Sequence, residues 1–206
     1  MIALIDYKAG NLTSVRKALT SIGAAFYTPD AATDLLRATA VIVPGVGHFN
    51  ATAALDAEWH DALRDRVETG MPLLGICLGM QFLFEGSIEA PDVPGLGLLP
   101  GRCTLLAPPE PAGDEMRCKV PHVGWNVLDL SDRPSRLLDG VAPGAQAYFT
   151  HSYVVPDSNA TAAWTTHGVR FASVVEQGRV YGAQFHPEKS SDVGLRMLKN
   201  FLEVAR

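Results

Sequence analysis

Three short stretches of this 206-residue chain hold residues whose types and spacing suit covalent chemistry. In GICLGMQ, Cys77 stands between Gly75 and Gly79, after an apolar run (PLLGI, 72–76) and before a segment able to start a helix. A sharp strand-to-helix turn that lifts a nucleophile off a sheet needs small side chains two residues away on either side, and G-x-C-x-G meets that need. A thiol at a helix N-terminus also feels the positive end of the aligned peptide dipoles, which favours thiolate. The N–H of Leu78 would then face a developing oxyanion. Read alone, the segment suits a buried structural cysteine in a glycine-containing turn equally well.

A nucleophilic thiol needs a base, and the base needs an orienting group. QFHPEKS (184–190) offers both. Pro187 biases His186 towards an extended conformation, and residues two apart on an extended chain share a face, so Glu188 can lie behind the imidazole. A carboxylate there fixes the tautomer and stabilises the imidazolium. By itself a His-Pro-Glu after a strand reads as a surface turn. Beside the elbow it reads as the second and third members of a Cys77–His186–Glu188 triad. His151 is a competing base, but no carboxylate follows it closely. The third stretch, VPGVGHF (43–49), has glycines at 45 and 47 that let backbone approach a ligand or turn an N–H towards it. Its spacing is not that of a phosphate-binding P-loop.

These groups must be held by a scaffold. IALI (2–5), AVIVPG (40–45) and PLLGI read as buried strands. Between them NLTSVRKALTSIG forms a helix, with Asn11 as N-cap, Leu12, Val15, Leu19 and Ile22 on one face and Gly23 at its end. A polar helix covers 57–69 and stops at Gly70. Alternating buried strands and amphipathic helices imply βαβ units and a mostly parallel sheet. From about residue 95 strand-like runs take over: WNVLDL, YFTHSYVV, TAAWTTH, ASVVEQ and RVYGAQF, with EQGR (176–179) as a tight turn. A last helix starts near 191 and puts Leu195, Leu198, Phe201 and Leu202 on one side. The fold class is α/β: one domain over 1–206, with an antiparallel elaboration in its second half. His60 is expected on a solvated helix face and His167 in a hairpin-like turn. His48 and His122 lie beside motif-like segments. Cys103 and Cys118 read as buried or half-buried thiols.

Composition narrows the function. Net charge is −5 with no basic run, which argues against nucleic acid as partner. No apolar run approaches the about 20 residues of a membrane helix, so no membrane partner is expected. MIALIDYK lacks the basic start and long apolar stretch of a secretory signal. Three cysteines without regular spacing fit neither a disulfide framework nor a zinc site. A reducing, cytoplasmic location is expected, with no metal and no cofactor.

PGVG, GICLGMQ and QFHPE, in this order, resemble the class I (triad) glutamine amidotransferases. DYKAGNLTSV (6–15), PHVGWN (121–126), YFTHSYVV (148–155) and QFHPEKS are similar, within that family, to the glutaminase subunits of imidazole glycerol phosphate synthase. The matching stretches run from residue 6 to residue 190. The resemblance implies a flavodoxin-like sheet and hydrolysis of glutamine to glutamate and ammonia. It also implies a separate cyclase subunit of (β/α)₈-barrel fold, forming a heterodimer, to which the ammonia passes. Cys77 would form the γ-glutamyl thioester, and the oxyanion would lie between the Leu78 N–H and one at Val46 or Gly47. Gly47, Gln81, Ser152 and Tyr153 would bind the amino-acid end of glutamine. Asn11, Pro121 and Trp125 would face the cyclase, although PHVGWN also reads as a turn with a buried Trp125. Activity of the isolated chain is expected to be low, with the PGVG strand as the switch. Lys8-Ala9 departs from the family's Gly-containing pair, which puts the local turn in doubt. The rival readings are a glutaminase for anthranilate, aminodeoxychorismate, guanylate or pyridoxal phosphate synthesis, a stand-alone Cys hydrolase, and a non-catalytic regulatory subunit.

Overall fold

The computed structural model describes residues 1–10, 12–107 and 118–205. The first half alternates as the pattern requires: β1 (Ile2–Leu4), α1 (Leu12–Ser21), β2 (Phe26–Tyr27), β3 (Ala40–Val43), α2 (Ala57–Glu68), β4 (Leu73–Ile76) and the five-residue α3 (Leu78–Phe82). The second half holds β5 (Gly86–Ser87), β6 (Ala90–Pro94), β7 (Arg102–Leu105), β8 (His122–Val127) and β9 (Asp129–Leu130). It continues with β10 (Gln146–His151), β11 (Tyr153–Val154), β12 (Thr161–His167), β13 (Val169–Gln177), β14 (Val180–Ala183) and α4 (Ser191–Val204).

Eight strands form the central sheet in the order β2-β1-β3-β4-β14-β13-β12-β9. Neighbours from β2 to β14 pair in parallel, and β13, β12 and β9 continue the sheet antiparallel. Alternation along each parallel strand divides the core into two layers. Ile2, Leu4, Ile42, Leu74 and Ile76 pack with Val15 and Leu19 of α1 and Leu198 and Phe201 of α4. Ala3, Ile5, Val41, Val43 and Leu73 pack on the other face with Leu63 of α2 and Met80 and Phe82 of α3. The expected α/β architecture is present, with helices on both faces. No helix among the described residues is long and apolar enough to cross a membrane.

Several local expectations change in detail. The N-cap assigned to Asn11 lies outside the described residues. WNVLDL is not one strand, because β8 and β9 part at Leu128 and enter different sheets. YFTHSYVV likewise breaks at Ser152, β10 pairing with β8 and β11 with β7. His60 is buried rather than solvated, since α2 turns it inward with Leu63 to meet the Phe82 ring edge-on at 5.1 Å. Burial lowers its pKa. EQGR is the expected tight turn, with Gln177 opposite Val180 and Gly178 at φ 60°.

Candidate active site

The elbow is built from three close backbone approaches. A Cβ on Gly75 would come within 2.4 Å of the Gly79 carbonyl oxygen, and one on Gly79 within 1.7 Å of the Val43 oxygen. Both positions are therefore closed to any larger residue. Between them Cys77 has φ 53°, a left-handed conformation that a non-glycine residue adopts only under constraint. Its N–H is anchored to the Ala183 carbonyl at 2.7 Å, so β14 holds the turn. The thiol is buried, with the Thr150 carbonyl and the Gln184 amide each 3.8 Å from Sγ.

β14 runs on to His186, whose N–H donates to the Tyr148 carbonyl of β10 at 2.9 Å. Its Nδ1 meets Glu188 Oε1 at 2.8 Å, and both side chains are almost completely buried. Nε2, the nitrogen left to deal with the thiol, has no hydrogen-bond partner among the described residues. Burial would lower the imidazole pKa, but the neighbouring Cys77 and Glu188 outweigh it and raise it to about 10. Ser190 braces this loop: its hydroxyl donates to the His186 carbonyl at 2.7 Å and accepts from the Tyr148 N–H at 2.9 Å.

His151 offers no second base. Burial pushes its pKa down to about 3, and His122 is lowered to about 4, again by burial. Their tautomers follow from their neighbours. His151 Nδ1 meets the Tyr153 carbonyl at 3.0 Å, which can only accept, so Nδ1 donates and Nε2 accepts from His122 Nδ1 at 3.2 Å. His122 Nε2 in turn accepts from the Asn126 amide at 3.2 Å.

Cys77 opens into a cleft of about 260 Å³ lined by Gly47, Leu78, Gln81, Glu89, Pro121, Thr150, His151, Ser152 and Tyr153. The sequence-expected Gly47, Gln81, Ser152 and Tyr153 thus converge on one space. Gln81 is buried, and its amide donates to the Tyr153 carbonyl at 3.0 Å and to Gln184 Oε1 at 3.4 Å. Larger clefts beside Glu176 and beside β9 contain no thiol or imidazole. Sequence reasoning missed Glu89, the carboxylate of the active cleft. It is delivered by the β5–β6 hairpin, and its Oε2 accepts the Phe49 N–H at 2.7 Å just past the PGVG loop. Nothing local in GSIEAPDV marks it; only the hairpin's placement does.

One of the expected oxyanion donors is engaged. Leu78 N–H donates to the Gly45 carbonyl at 3.3 Å, so that carbonyl occupies the donor an oxyanion would use. The turn in front of this strand is settled: Lys8 takes φ 64°, where a glycine would be at ease, and its N–H donates to Asp6 Oδ1 at 3.0 Å. Pro121 is exposed at the cleft, and Trp125 is half exposed rather than buried. Asn11 lies outside the described residues.

A constrained thiol, a carboxylate-backed imidazole and a backbone amide at a short helix N-terminus are the parts of acyl transfer through a thioester. Comparison with known proteins agrees in kind. The family model for glutamine amidotransferase class-I matches residues 3–205. The imidazole glycerol phosphate synthase subunit HisH of Deinococcus radiodurans is 47% identical over 206 residues, covering 97% of this chain and 92% of that protein. Its namesake in Moorella thermoacetica is 46% identical over 209 residues, covering 100% and 95%. Among solved structures, a glutamine amidotransferase superposes with TM-score 0.76 at 22% identity, covering 99% of this chain and 98% of that one. PurLQS of Thermotoga maritima gives TM-score 0.70 at 19% identity, covering 100% and 98%, a likeness of fold alone. The chain belongs to the class-I glutamine amidotransferase family.

Proposed function

We propose that this chain, acting as one domain over residues 1–206, is the glutaminase subunit of an imidazole glycerol phosphate synthase. The observation that carries the chemistry is the buried 2.8 Å His186–Glu188 pair beside a thiol held at φ 53° at the mouth of the cleft. Near-full-length likeness to HisH proteins favours this branch over the other class I glutaminases and over a stand-alone hydrolase.

In this reading Cys77 thiolate attacks the side-chain carbonyl of glutamine. His186 holds the proton on Nε2 and delivers it to the departing amide nitrogen, releasing ammonia and leaving a γ-glutamyl thioester. It then takes a proton from water as the thioester is hydrolysed, while Glu188 keeps Nδ1–H in place. Glu89 receives the substrate's α-ammonium, and Gln81 with the backbone at Gly47, Ser152 and Tyr153 fixes the rest of the amino-acid end. The oxyanion requires the Leu78 N–H and a second one at Val46 or Gly47. Since Leu78 is engaged by the Gly45 carbonyl, the Gly45–Val46 peptide must first turn over, and the isolated chain is therefore expected to have low activity.

Ammonia passes to a cyclase subunit of (β/α)₈-barrel fold, in the cytoplasm. Its docking face is the outer side of β8, where Val123, Trp125 and Val127 are 58%, 50% and 42% exposed, with Pro121 at the edge. Trp125 lies opposite Tyr148 with their rings edge-on at 6.1 Å. Tyr148 is the residue whose backbone holds His186, so contact with the partner reaches the base directly. The test is co-purification with a cyclase and assay of glutamine-dependent imidazole glycerol phosphate. Product that disappears with Cys77→Ala but returns with added ammonia supports the reading. A Cys77→Ala complex that still uses glutamine refutes it.

A further inference from the structure

The oxyanion strand lies against a side chain to which neither the triad nor the cleft gives a role. Tyr7 is buried, and a Cβ built on Gly45 would meet its hydroxyl oxygen at 2.0 Å, so the hydroxyl rests directly on the Gly45 α-carbon. That hydroxyl has no hydrogen-bond partner among the described residues. A buried, unbonded phenol in the core is costly and calls for an explanation. Burial and the nearby Cys77 both raise its pKa, so it stays a neutral O–H donor.

The surrounding backbone directs where it can donate. The turn at Lys8 brings Gly10 alongside the same strand, where an added Cβ would meet Gly45 Cα at 3.2 Å and Val46 N at 3.3 Å. Loop 6–10 and the PGVG strand are therefore packed backbone to backbone, with Tyr7 beneath. In the structure the Gly45 carbonyl is turned towards the Leu78 N–H. Turning the Gly45–Val46 peptide over withdraws that carbonyl from the Leu78 N–H, and the Tyr7 hydroxyl, which shares the Cβ side of Gly45 with Leu78 Cβ, is the unbonded donor resting on the same residue. Its lost hydrogen bond must be replaced, or the turned-over state is penalised.

We infer that Tyr7 is a positioning residue for the oxyanion hole, its idle hydroxyl donating to the Gly45 carbonyl once the Gly45–Val46 peptide has turned over. The hydroxyl is unbonded in the resting strand and bonded in the competent one, so it favours the state in which the Leu78 and Val46 N–H groups are free for substrate. Tyr7 touches no reacting atom. This rests on the reading of the chain as a partner-activated glutaminase.

The test is Tyr7→Phe, which keeps the ring and removes only the oxygen. It is assayed as the complex with the cyclase, measuring ammonia release and thermal melting. The expected result is a kcat about three- to tenfold lower, as for one neutral hydrogen bond, with KM for glutamine unchanged and a melting temperature equal to or above wild type. Unchanged kcat in an active complex overturns the role of Tyr7 alone. A lowered melting temperature also overturns it, because the hydroxyl would then be bonded in the resting fold. A wild-type complex that releases no ammonia overturns the glutaminase reading, and this inference with it.

Discussion

Replacing Gly79 by alanine tests whether the elbow is held by backbone contact. The added methyl would lie 1.7 Å from the Val43 oxygen and 2.7 Å from its carbonyl carbon, where Cβ atoms essentially never come closer than 3.0 Å. Neither atom belongs to a flexible side chain. β3 cannot retreat, because it is hydrogen-bonded to β1 on one side and β4 on the other. The strain therefore falls on α3, which must move by about 1.3 Å, carrying the Leu78 N–H and the end of the Cys77 turn with it. Overpacking of this kind costs about 1–3 kcal/mol, roughly 2–4 °C of melting temperature per kcal/mol in a chain of this size. A displacement near 1 Å at reacting groups costs about 100-fold in rate. Gly70→Ala is the control: Gly70 has φ 94° with nothing within 4 Å of a built Cβ, so it loses about 1–2 kcal/mol through backbone strain alone. Both variants should melt lower, but only Gly79→Ala should lose glutaminase kcat in the cyclase complex. If Gly79→Ala turns over glutamine near the wild-type rate, or if Gly70→Ala loses as much, the contact does not position the thiol.

Glu188→Gln should alter stability in a pH-dependent way. His186 is held at about 10 in the fold against its ordinary 6.5, so its contribution is complete below pH 6.5 and lost as pH rises through about 10. Melting curves of the two proteins should differ most at acid pH and converge towards pH 10; a gap that widens with pH rules out this source. Glu89→Gln removes the carboxylate of the cleft, and KM for glutamine should rise about 10- to 100-fold with kcat little changed, as for a charge-assisted hydrogen bond. A steady-state KM within twofold of wild type removes Glu89 from the substrate site. Trp125→Ala should weaken cyclase binding about 30-fold by titration without lowering the melting temperature of the free chain, because half of the side chain is exposed. Undiminished affinity would place the cyclase on another face.

What the sequence discloses is what chemistry requires over a few consecutive residues. Gly75 and Gly79 betray the elbow because the turn itself excludes side chains there. Glu188 betrays the base by its place two residues after His186, although the chain brings it behind the ring through a 3₁₀ turn at Pro187–Lys189 and not through the extended run the sequence suggests. Glu89 stays hidden because its place in the cleft depends on where a hairpin lands, not on its neighbours in the chain. His60 misleads for the opposite reason: it sits in a helix polar enough to read as solvated, yet one turn of α2 carries it inward with Leu63. The break in YFTHSYVV at Ser152 is also a property of the sheets, since β10 and β11 find different partners. That break opens the strand edge at which Ser152 and Tyr153 line the cleft.

Two connections run from the outer strand β8 to the thiol, and they differ in kind. One is the line Asn126, His122, His151, Tyr153 carbonyl, Gln81, Gln184, Cys77, joined by hydrogen bonds throughout. Its histidines are held neutral by burial, and each link has one sensible donor and one acceptor, so it has a single arrangement. Such a line fixes the cleft; it does not switch it. The other passes from Trp125 over Tyr148 to the His186 loop, the base of the same thiol whose next residue, Leu78, gives its N–H to the carbonyl of the Gly45–Val46 peptide. A signal needs an element with two states that both sites can bias. The proposed turnover would make the peptide such an element, because its one hydrogen bond to Leu78 can be exchanged for another, whereas the histidine line can only be broken. In the proposed reading, a partner docked on β8 would meet a rigid wall on one side of Cys77 and a movable donor on the other, and regulation of the glutaminase would fall to the strand that carries PGVG.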